Sequence, residues 1–274
     1  MRRTPTSPAS PCPWTAGTWP NSPPPRRRCF DTLPSGRDGG PSGLPDGEGR
    51  GMVMGAPRTV AAPKTGGWSL PPVLREGTAS DLAERGLQER VRFCGLDLNG
   101  LDLSGSTFEE CELQRLGISE ANLQAAHWLR TEAGNLQIPA LNAHRIGMRQ
   151  VRLDACRFGG ADLAEAQLDN VVISGSKFTW LSLQRARLRD VLLRDCVIEE
   201  LDLSQCRIER LAFENVKVGT MHCAGAKMRH VDLRGAQLQS LIGLESLRGT
   251  VVNPAQLQSL AELFAVHFGI TVRD

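Results

Sequence analysis

The chain has 274 residues, enough for one large domain or two small ones, and 41% of them are hydrophobic, an ordinary share for a folded protein. Its formal net charge of +2 points to no class of partner. No apolar run approaches the roughly 20 residues that cross a membrane, and no apolar segment follows Met1-Arg2-Arg3 as it would in a secretory signal, so we predict a soluble, cytoplasmic protein without membrane contact.

Residues 1–70 are rich in Pro, Gly, Ser and Arg and show the period of neither a helix nor a strand. Such a segment buries too little apolar area to offset its ordering entropy, so we predict that it is disordered. An alternative is that the first part is not translated and that the protein starts at Met52 or Met54. The triplet Arg26–Arg28 is interpreted as part of a solvated linker, and the other interpretation is a tail for an anionic partner.

Residues 71–90 are predicted to cap the N-terminal end of the domain that follows. One short helix is expected near the end of this segment. Ser80 or Asp81 would cap that helix, and Leu82 and Leu87 would face inward.

A five-residue repeat begins at Phe93 and continues without a slip to Leu238. None of the thirty residues met by stepping in fives is charged or carries an amide. Two residues before each lies a second series that is small or apolar, with Ser106, Thr131 and Ser176 as mild exceptions. Period five fits neither a helix nor a simple strand. It predicts a chain that turns a corner every five residues. If four such sides close a coil of twenty residues, thirty pentads at the usual ~4.8 Å strand spacing make a rod of about 36 Å.

Several pentads share one pattern, a small or apolar residue, then Asp or Asn, then Leu. They are Leu96-Asp97-Leu98-Asn99-Gly100, Leu101-Asp102-Leu103-Ser104-Gly105, Ala121-Asn122-Leu123-Gln124-Ala125, Ala161-Asp162-Leu163-Ala164-Glu165 and Val231-Asp232-Leu233-Arg234-Gly235. This pattern resembles the signature of the pentapeptide-repeat family. The resemblance implies an all-β solenoid over residues 91–240, a right-handed quadrilateral β-helix with a short N-terminal cap and a C-terminal capping helix.

Two kinds of residue in the pentads have predicted local roles. Asp or Asn before the central Leu is expected to hydrogen-bond the backbone at the turn. Gly at the fifth position, as in Gly95, Gly100, Gly105, Gly160 and Gly175, is expected to ease the turn.

One stretch departs from the pattern, because residues 128–147 place Trp128, Ala133 and Ala143 at central positions and include Pro139. Proline lacks a backbone donor, so we expect a bulge, a loosened coil or a side loop there.

Residues 241–274 are predicted to form a C-terminal cap, since the repeat stops after Leu238. An amphipathic helix is expected to begin with Asn253 as N-cap and Pro254 at its first position and to end at Gly269. Its inward face would carry Leu257, Leu260, Ala261 and Phe264. The cap would cover the open end of the solenoid, and the family resemblance implies a second role, in which this helix pairs two copies into a homodimer.

The cysteines and histidines do not indicate a catalytic, cofactor or metal site. Of the eight Cys, those at 111, 156, 196, 206 and 223 occupy inward positions and are interpreted as small hydrophobic residues. The five His fall on distant coils or in the tail, and the sequence has no phosphate-binding glycine motif. We predict a protein that is not an enzyme and has no cofactor or metal.

The twenty-residue coil brings six cations to one side of the rod over three coils, and we call this set the basic side. Its members are Arg187, Arg189, Arg207, Arg210, Lys227 and Arg229. Asp190 and Glu209 interrupt it. One interpretation is an ordinary solvated surface, and the other is a docking patch for an acidic or phosphate-bearing protein partner.

Two functions are compatible with the repeat. The first is a non-catalytic scaffold for an unidentified protein partner. The second follows from the resemblance, because some members of the family mimic duplex DNA and protect type II topoisomerases such as gyrase. A DNA mimic should be strongly acidic, whereas residues 91–240 carry eighteen Lys and Arg against nineteen Asp and Glu, a net of −1. The sequence therefore favours the scaffold, and direct binding to nucleic acid is not expected.

Overall fold

The computed structural model describes residues 59–83, 86–99 and 101–273. The predicted disorder of residues 1–58, the Arg26–Arg28 triplet and the alternative starts at Met52 and Met54 lie outside the described residues.

The five-residue register is confirmed. Every central position from Phe93 to Met228 is buried, as is Leu233, and Leu238 at the end of the series is partly buried. The second inward series is buried over most of its length, including its polar members Ser106, Thr131 and Ser176. Two residues of each pentad thus face a shared apolar bore and the other three face outward.

Nineteen strands lie within the described residues, and most of them belong to the coils. In chain order they are β1 Arg75–Glu76, β2 Leu87–Glu89, β3 Val91–Cys94, β4 Thr107–Glu109, β5 Glu112–Gln114, β6 Glu120–Asn122, β7 His127–Gly134, β8 Gln137–Asn142, β9 Gly147–Asp154, β10 Arg157–Asp162, β11 Gln167–Ser174, β12 Lys177–Ser182, β13 Arg187–Arg194, β14 Val197–Asp202, β15 Arg207–Glu214, β16 Val216–His222, β17 Lys227–Asp232, β18 Ala236–Ile242 and β19 Thr250–Val251. The helices are α1 Ala79–Ala83, α2 Pro254–His267 and a 3-10 turn Leu244–Ser246. No helix in the described part of the chain is long and apolar enough to cross a membrane.

The strands form two parallel sheets, one of twelve strands and one of seven. Each strand pairs with the strand one coil away, as β10 does with β12, where Phe158 is the partner of Phe178. The two rings stack inside the bore with centroids 4.9 Å apart. The predicted twenty-residue coil is therefore confirmed, and the fold is a parallel-strand β-solenoid.

Left-handed backbone recurs at three corners of a coil, for example at Arg185, Asp190 and Asp195. Gly95, Gly105 and Gly175 have positive φ, in agreement with the prediction that these glycines ease the turn. Gly160 does not have positive φ, and a Cβ there would make only an ordinary van der Waals contact, 3.7 Å from the ring of Trp180, so the turn does not require glycine at this position.

The aspartates of the pentads bind the backbone as predicted. The carboxylates of Asp102, Asp162 and Asp202 each accept a hydrogen bond from the N–H two residues later, at 2.8 to 3.0 Å. These bonds fix the turn after each central Leu.

The prediction of an irregular coil at residues 128–147 is wrong. Strands β7 and β8 keep the register of their neighbours through this region. Pro139 lies between the paired residues Ile138 and Ala140, at a position that the ladder does not use, so its missing N–H breaks no pair. Trp128 fills the bore and meets Phe108 edge to face at 5.8 Å. The small central residues Ala133 and Ala143 are thus buried in a regular bore.

The N-terminal cap agrees with the sequence only in part. Helix α1 buries Leu82 as predicted, but Leu87 lies in β2 and is 59% exposed. The helix ends before Leu87, so its face cannot include that residue. Strand β1 pairs with β3 and extends the larger sheet by one strand.

Residues 59–70 differ from the predicted disorder, and we call this segment the strap. Its backbone belongs to no helix or sheet and hydrogen-bonds to side chains of Asn170, Asp190 and His230. The prediction of disorder used only the composition of the segment. Composition cannot show that the segment binds a surface of the solenoid more than a hundred residues away in the chain.

The boundaries predicted for α2 are confirmed. Asn253 is the N-cap and exchanges two hydrogen bonds with Gln256, and Pro254 opens the helix. At the other end Gly269 has φ +68°, and the Ile270 N–H donates to the Ala265 carbonyl at 2.8 Å.

The predicted inward face of α2 is wrong at Leu257, which is 53% exposed, and at Ala261, which is also exposed. Leu260 is buried, and Leu263 and Phe264 pack partly against the core. Gln256 orients the helix, because its Nε2 donates to the carbonyl of Leu233 and to that of Ala236 three residues later, each at 2.6 Å.

Candidate functional site

The basic side contains one column of like charges. Arg187 pairs in register with Arg207, and Arg207 with Lys227, so the three cations lie on successive coils. All three are exposed. Within the described residues none of them forms an ion pair. Cations stacked at the ~4.8 Å spacing of neighbouring strands repel one another.

The column beside it alternates in charge. Arg189 lies next to Glu209, and Glu209 lies next to Arg229 on the following coil. Arg189 also lies 3.7 Å from the carboxylate of Asp190. Repulsion between Arg189 and Arg229 is therefore relieved by the carboxylate between them, as the sequence suggested.

Arg210 does not belong to the exposed basic side. It is 8% exposed, its Nε and Nη2 donate to the two carboxylate oxygens of Asp190 at 2.6 and 2.8 Å, and its Nη1 donates to Glu209. This bidentate pair raises the pKa of Arg210. The Arg210 guanidinium, with a further hydrogen bond from the Lys64 N–H, holds the pKa of the Asp190 carboxyl below its usual range, although burial acts in the opposite direction.

Opposite charges elsewhere on the rod are stacked coil on coil. Six ion pairs outside the basic side link residues twenty apart in the described part of the chain: Arg90–Glu110 and Arg92–Glu112, each at 2.7 Å, Arg130–Glu110 at 2.9 Å, Arg152–Glu132 at 2.5 Å, Arg185–Glu165 at 3.1 Å and Arg194–Glu214 at 2.6 Å. Each places a carboxylate where the next coil carries a guanidinium. The column of Arg187, Arg207 and Lys227 departs from this arrangement, because cations follow one another on successive coils. No neighbouring carboxylate among the described residues pairs with them.

The cysteines lie where the sequence placed them. Burial raises the pKa of the Cys156 thiol to about 11 and that of the Cys206 thiol to about 12. Thiols held in the protonated form are poor nucleophiles and metal ligands. No group of three His, Cys, Asp or Glu that could hold a metal occurs among the residues described.

Two histidines sit beside single carboxylates. His144 lies 3.7 Å from Glu165, and His222 lies 3.3 Å from Glu200. The outward Glu110 lies between two cations, 2.7 Å from Arg90 and 2.9 Å from Arg130.

Sequence reasoning missed the contact of the strap with the edge of the basic side. The Lys64 N–H donates to Asp190 at 2.7 Å, and the Ala61 N–H donates to His230 Nδ1 at 3.3 Å. In both contacts the strap donates a backbone N–H, a group that almost every residue has, so the sequence does not indicate them. The only local signal is Gly66-Gly67, two consecutive residues with positive φ.

The chain matches one family model and shows weak similarity to solved structures. A family model described as a pentapeptide repeat region matches residues 146–219. HetL, a pentapeptide repeat protein involved in heterocyst differentiation regulation in the cyanobacterium Nostoc sp. strain PCC 7120, is 14% identical in an alignment that covers 64% of this chain and 93% of HetL, with a TM-score of 0.31. Full-length QnrB1, a plasmid-mediated fluoroquinolone resistance protein, is 18% identical over 74% of this chain and 98% of its own, also with a TM-score of 0.31. No curated protein sequence matches the chain.

Proposed function

Since this chain carries a pentapeptide-repeat region, we propose that it is a non-catalytic scaffold whose basic side binds an acidic or phosphate-bearing surface of a protein partner. The observation that supports this is the column of Arg187, Arg207 and Lys227, three exposed cations without an ion pair in the described part of the chain. The stacked like charges raise the free energy of the isolated rod, and an acidic surface laid along the column would remove that repulsion.

The partner surface should match the column in shape as well as in charge. Two of the three cations are arginines, which bind carboxylate or phosphate through two parallel hydrogen bonds. Carboxylates or phosphates spaced along an extended or helical segment could contact successive coils. Arg189 and Arg229 flank the column and would add to the attraction, although Glu209 lies between them.

We expect that reversing the charge of Arg187, Arg207 and Lys227 to Glu abolishes binding of a fluorescein-labelled polyglutamate peptide and leaves the circular dichroism spectrum unchanged. The probe supplies closely spaced carboxylates, and fluorescence anisotropy measures its binding. Binding to the unchanged protein should weaken at higher salt, because exposed charges are screened.

A matched control reverses Arg157, Lys177 and Lys217, three exposed cations that lie on the smaller sheet. It changes the net charge by the same amount at a different side of the rod. Equal loss of binding in both triple variants would attribute the effect to net charge and contradict a specific column. The same two variants then test capture of the natural partner from a cell extract.

Control of a type II topoisomerase by DNA mimicry is the alternative, and we do not adopt it. Duplex DNA carries about one negative charge per 1.7 Å, so a mimic needs a strongly acidic surface. The net charge of −1 over residues 91–240 does not supply one.

We also propose that the C-terminal cap pairs two copies of the protein. Leu257, Val266, Phe268 and Ile270 are each more than half exposed on or just after α2. Three of them lie within five residues at the C-terminal end of the helix, and apolar side chains exposed together favour association. Phe268→Asp is expected to halve the molar mass measured by light scattering and to leave the solenoid folded. An unchanged protein that is already monomeric would contradict the proposal.

A further inference from the structure

The strap crosses the coils instead of joining a sheet. Its residues Lys64 and Gly66 contact Asp190 and Asn170, which lie on neighbouring coils at the same corner. Further along the chain Trp68 contacts Arg152, and at the other end Ala61 contacts His230. The strap therefore runs along the outside of the solenoid, from the coil of His230 toward the N-terminal coils.

Most contacts of the solenoid are with the main chain of the strap. The Lys64 N–H donates to Asp190 Oδ1 at 2.7 Å. The Asn170 amide binds both backbone groups of Gly66, accepting from its N–H and donating to its carbonyl, each at 3.1 Å. Main-chain groups are present in every peptide, so another segment that can adopt the backbone conformation of the strap offers the same hydrogen bonds, as in recognition by strand addition.

Two contacts depend on the sequence of the strap. Gly66 has φ +113°, a conformation that side chains rarely adopt, and a proline there would also lack the N–H that Asn170 accepts. The Trp68 ring lies under the Arg152 guanidinium, 4.3 Å from the ring centroid, and Arg152 also donates to the Trp68 carbonyl at 3.1 Å. The requirement is a glycine followed two residues later by an aromatic residue.

The side of the solenoid along which the strap runs has apolar residues at outward positions, where polar residues are usual. Val172, Leu192 and Ala212 occupy one outward column on successive coils, between inward neighbours. Leu192 is 6% and Ala212 is 9% exposed, so this side is covered. An outward apolar column next to hydrogen-bonding side chains has the composition of a peptide-binding groove.

The strap is held more weakly than the coils. It pairs with no strand, and Pro63 gives it no N–H at one position, so a few hydrogen bonds and one cation–π contact replace a ladder. Segments of this kind open at a free energy well below that of global unfolding. The groove beneath is then exposed for part of the time.

We propose that this side of the solenoid, with Arg152, Asn170 and Asp190 along it, is a docking groove for an extended peptide with a glycine two residues before an aromatic residue, and that the strap occupies the groove as an exchangeable ligand of the same chain. When the strap leaves the groove, we propose that the groove binds a segment of another protein that also has a glycine two residues before an aromatic residue. The groove lies beside the basic side and does not depend on an acidic partner.

The test uses the full-length protein and a fluorescein-labelled peptide with the sequence of residues 59–70. In an unlatched variant, Gly66→Pro with Trp68→Ala, both changes lie in the strap and leave every coil intact. We expect the peptide to bind this variant at least tenfold more tightly than the unchanged protein, where the tethered strap competes at high effective concentration. Hydrogen exchange at Lys64 should be slowed in the unchanged protein and fast in the variant.

The matched control adds Asn170→Gly to the unlatched variant. Asn170 has φ +58°, which glycine accepts, so the change removes the amide without straining the corner. Peptide binding should fall at least tenfold. The proposal is overturned if the unlatched variant does not bind the peptide, if Asn170→Gly leaves binding intact, or if Lys64 stays protected in the unlatched variant. Binding to the unchanged protein as tight as to the variant would also overturn occupancy by the strap.

Discussion

Leu163→Asp and Leu203→Asp are each expected to leave the protein unable to fold to a soluble state. The two side chains are 4% and 1% exposed and point into a bore lined by apolar residues. A carboxylate there has no partner, and burying an unpaired ion costs several kcal/mol even after relaxation. Uptake of a proton would remove the charge but leave a polar group and a cavity. That cost is comparable to the roughly 5–15 kcal/mol by which whole domains are stable.

The matched change is Gln184→Glu, which places a carboxylate at an outward, partly exposed site one residue from the central Leu183. We expect this variant to be soluble, with a melting temperature within a few degrees of the unchanged protein. Soluble yield and circular dichroism measure both outcomes. If the inward and outward carboxylates were tolerated equally, the five-residue register would be refuted.

Asp190→Asn is expected to lower the free energy of unfolding by about 3 kcal/mol, because the buried Arg210 guanidinium loses its bidentate carboxylate and keeps only the partly exposed Glu209 as a counter-ion. Asparagine keeps the shape of the side chain and tolerates the left-handed corner, at φ +54°. Urea denaturation measures the loss. The double variant with Arg210→Met should recover most of it, since replacing both partners removes the unpaired charge.

The control for this change is Asp195→Asn. Asp195 occupies another left-handed corner of the same coil, but it is exposed and its partner is the neutral Asn215 amide, at 2.7 Å. A loss of only a few tenths of a kcal/mol is expected there. If Asp190→Asn cost no more than Asp195→Asn, the buried ion pair would contribute nothing measurable to the fold.

The sign of the pH dependence follows from the same pair. The pKa of Asp190 is lower in the folded protein than its usual value, so the stabilisation from this carboxylate is fully present above the usual value. It is lost as the pH falls through the lowered folded value. Asp190→Asn should remove this part of the acid dependence of unfolding.

The periodic part of the fold could be predicted from sequence, because each pentad repeats the same physical constraint. A residue such as Leu163 must face the bore, and its partners on other coils follow from adding twenty. The same arithmetic placed Arg187, Arg207 and Lys227 in one column. The period could not show that Arg210 is buried in an ion pair with Asp190. Both residues are charged and lie at corner positions, where the repeat predicts exposed side chains.

Features without a period were beyond the same reasoning. The strap meets Asp190 and Asn170 through its backbone, and composition alone suggested that it would be disordered. Pro139 was expected to disrupt a coil, because its position relative to the ladder cannot be seen before the ladder is known. The face of α2 depends on where Gln256 binds the last coils, which the helix period does not specify.

The twenty-residue coil also limits how the length of this chain can change over evolution. Loss of one whole coil shortens the rod by about 4.8 Å and leaves every later residue on its original side. Loss of a single pentad turns everything after it by a quarter of a revolution, so a pentad lost between Arg207 and Lys227 would move the lysine to a different wall. Insertions and deletions that preserve a surface built from several coils must therefore come in multiples of twenty residues. Between Asn170 and Asp190 even a whole inserted coil would disrupt the surface. Lys64 contacts Asp190 and Gly66 contacts Asn170, so two residues of the strap span one coil, and an inserted coil would separate the two contacts.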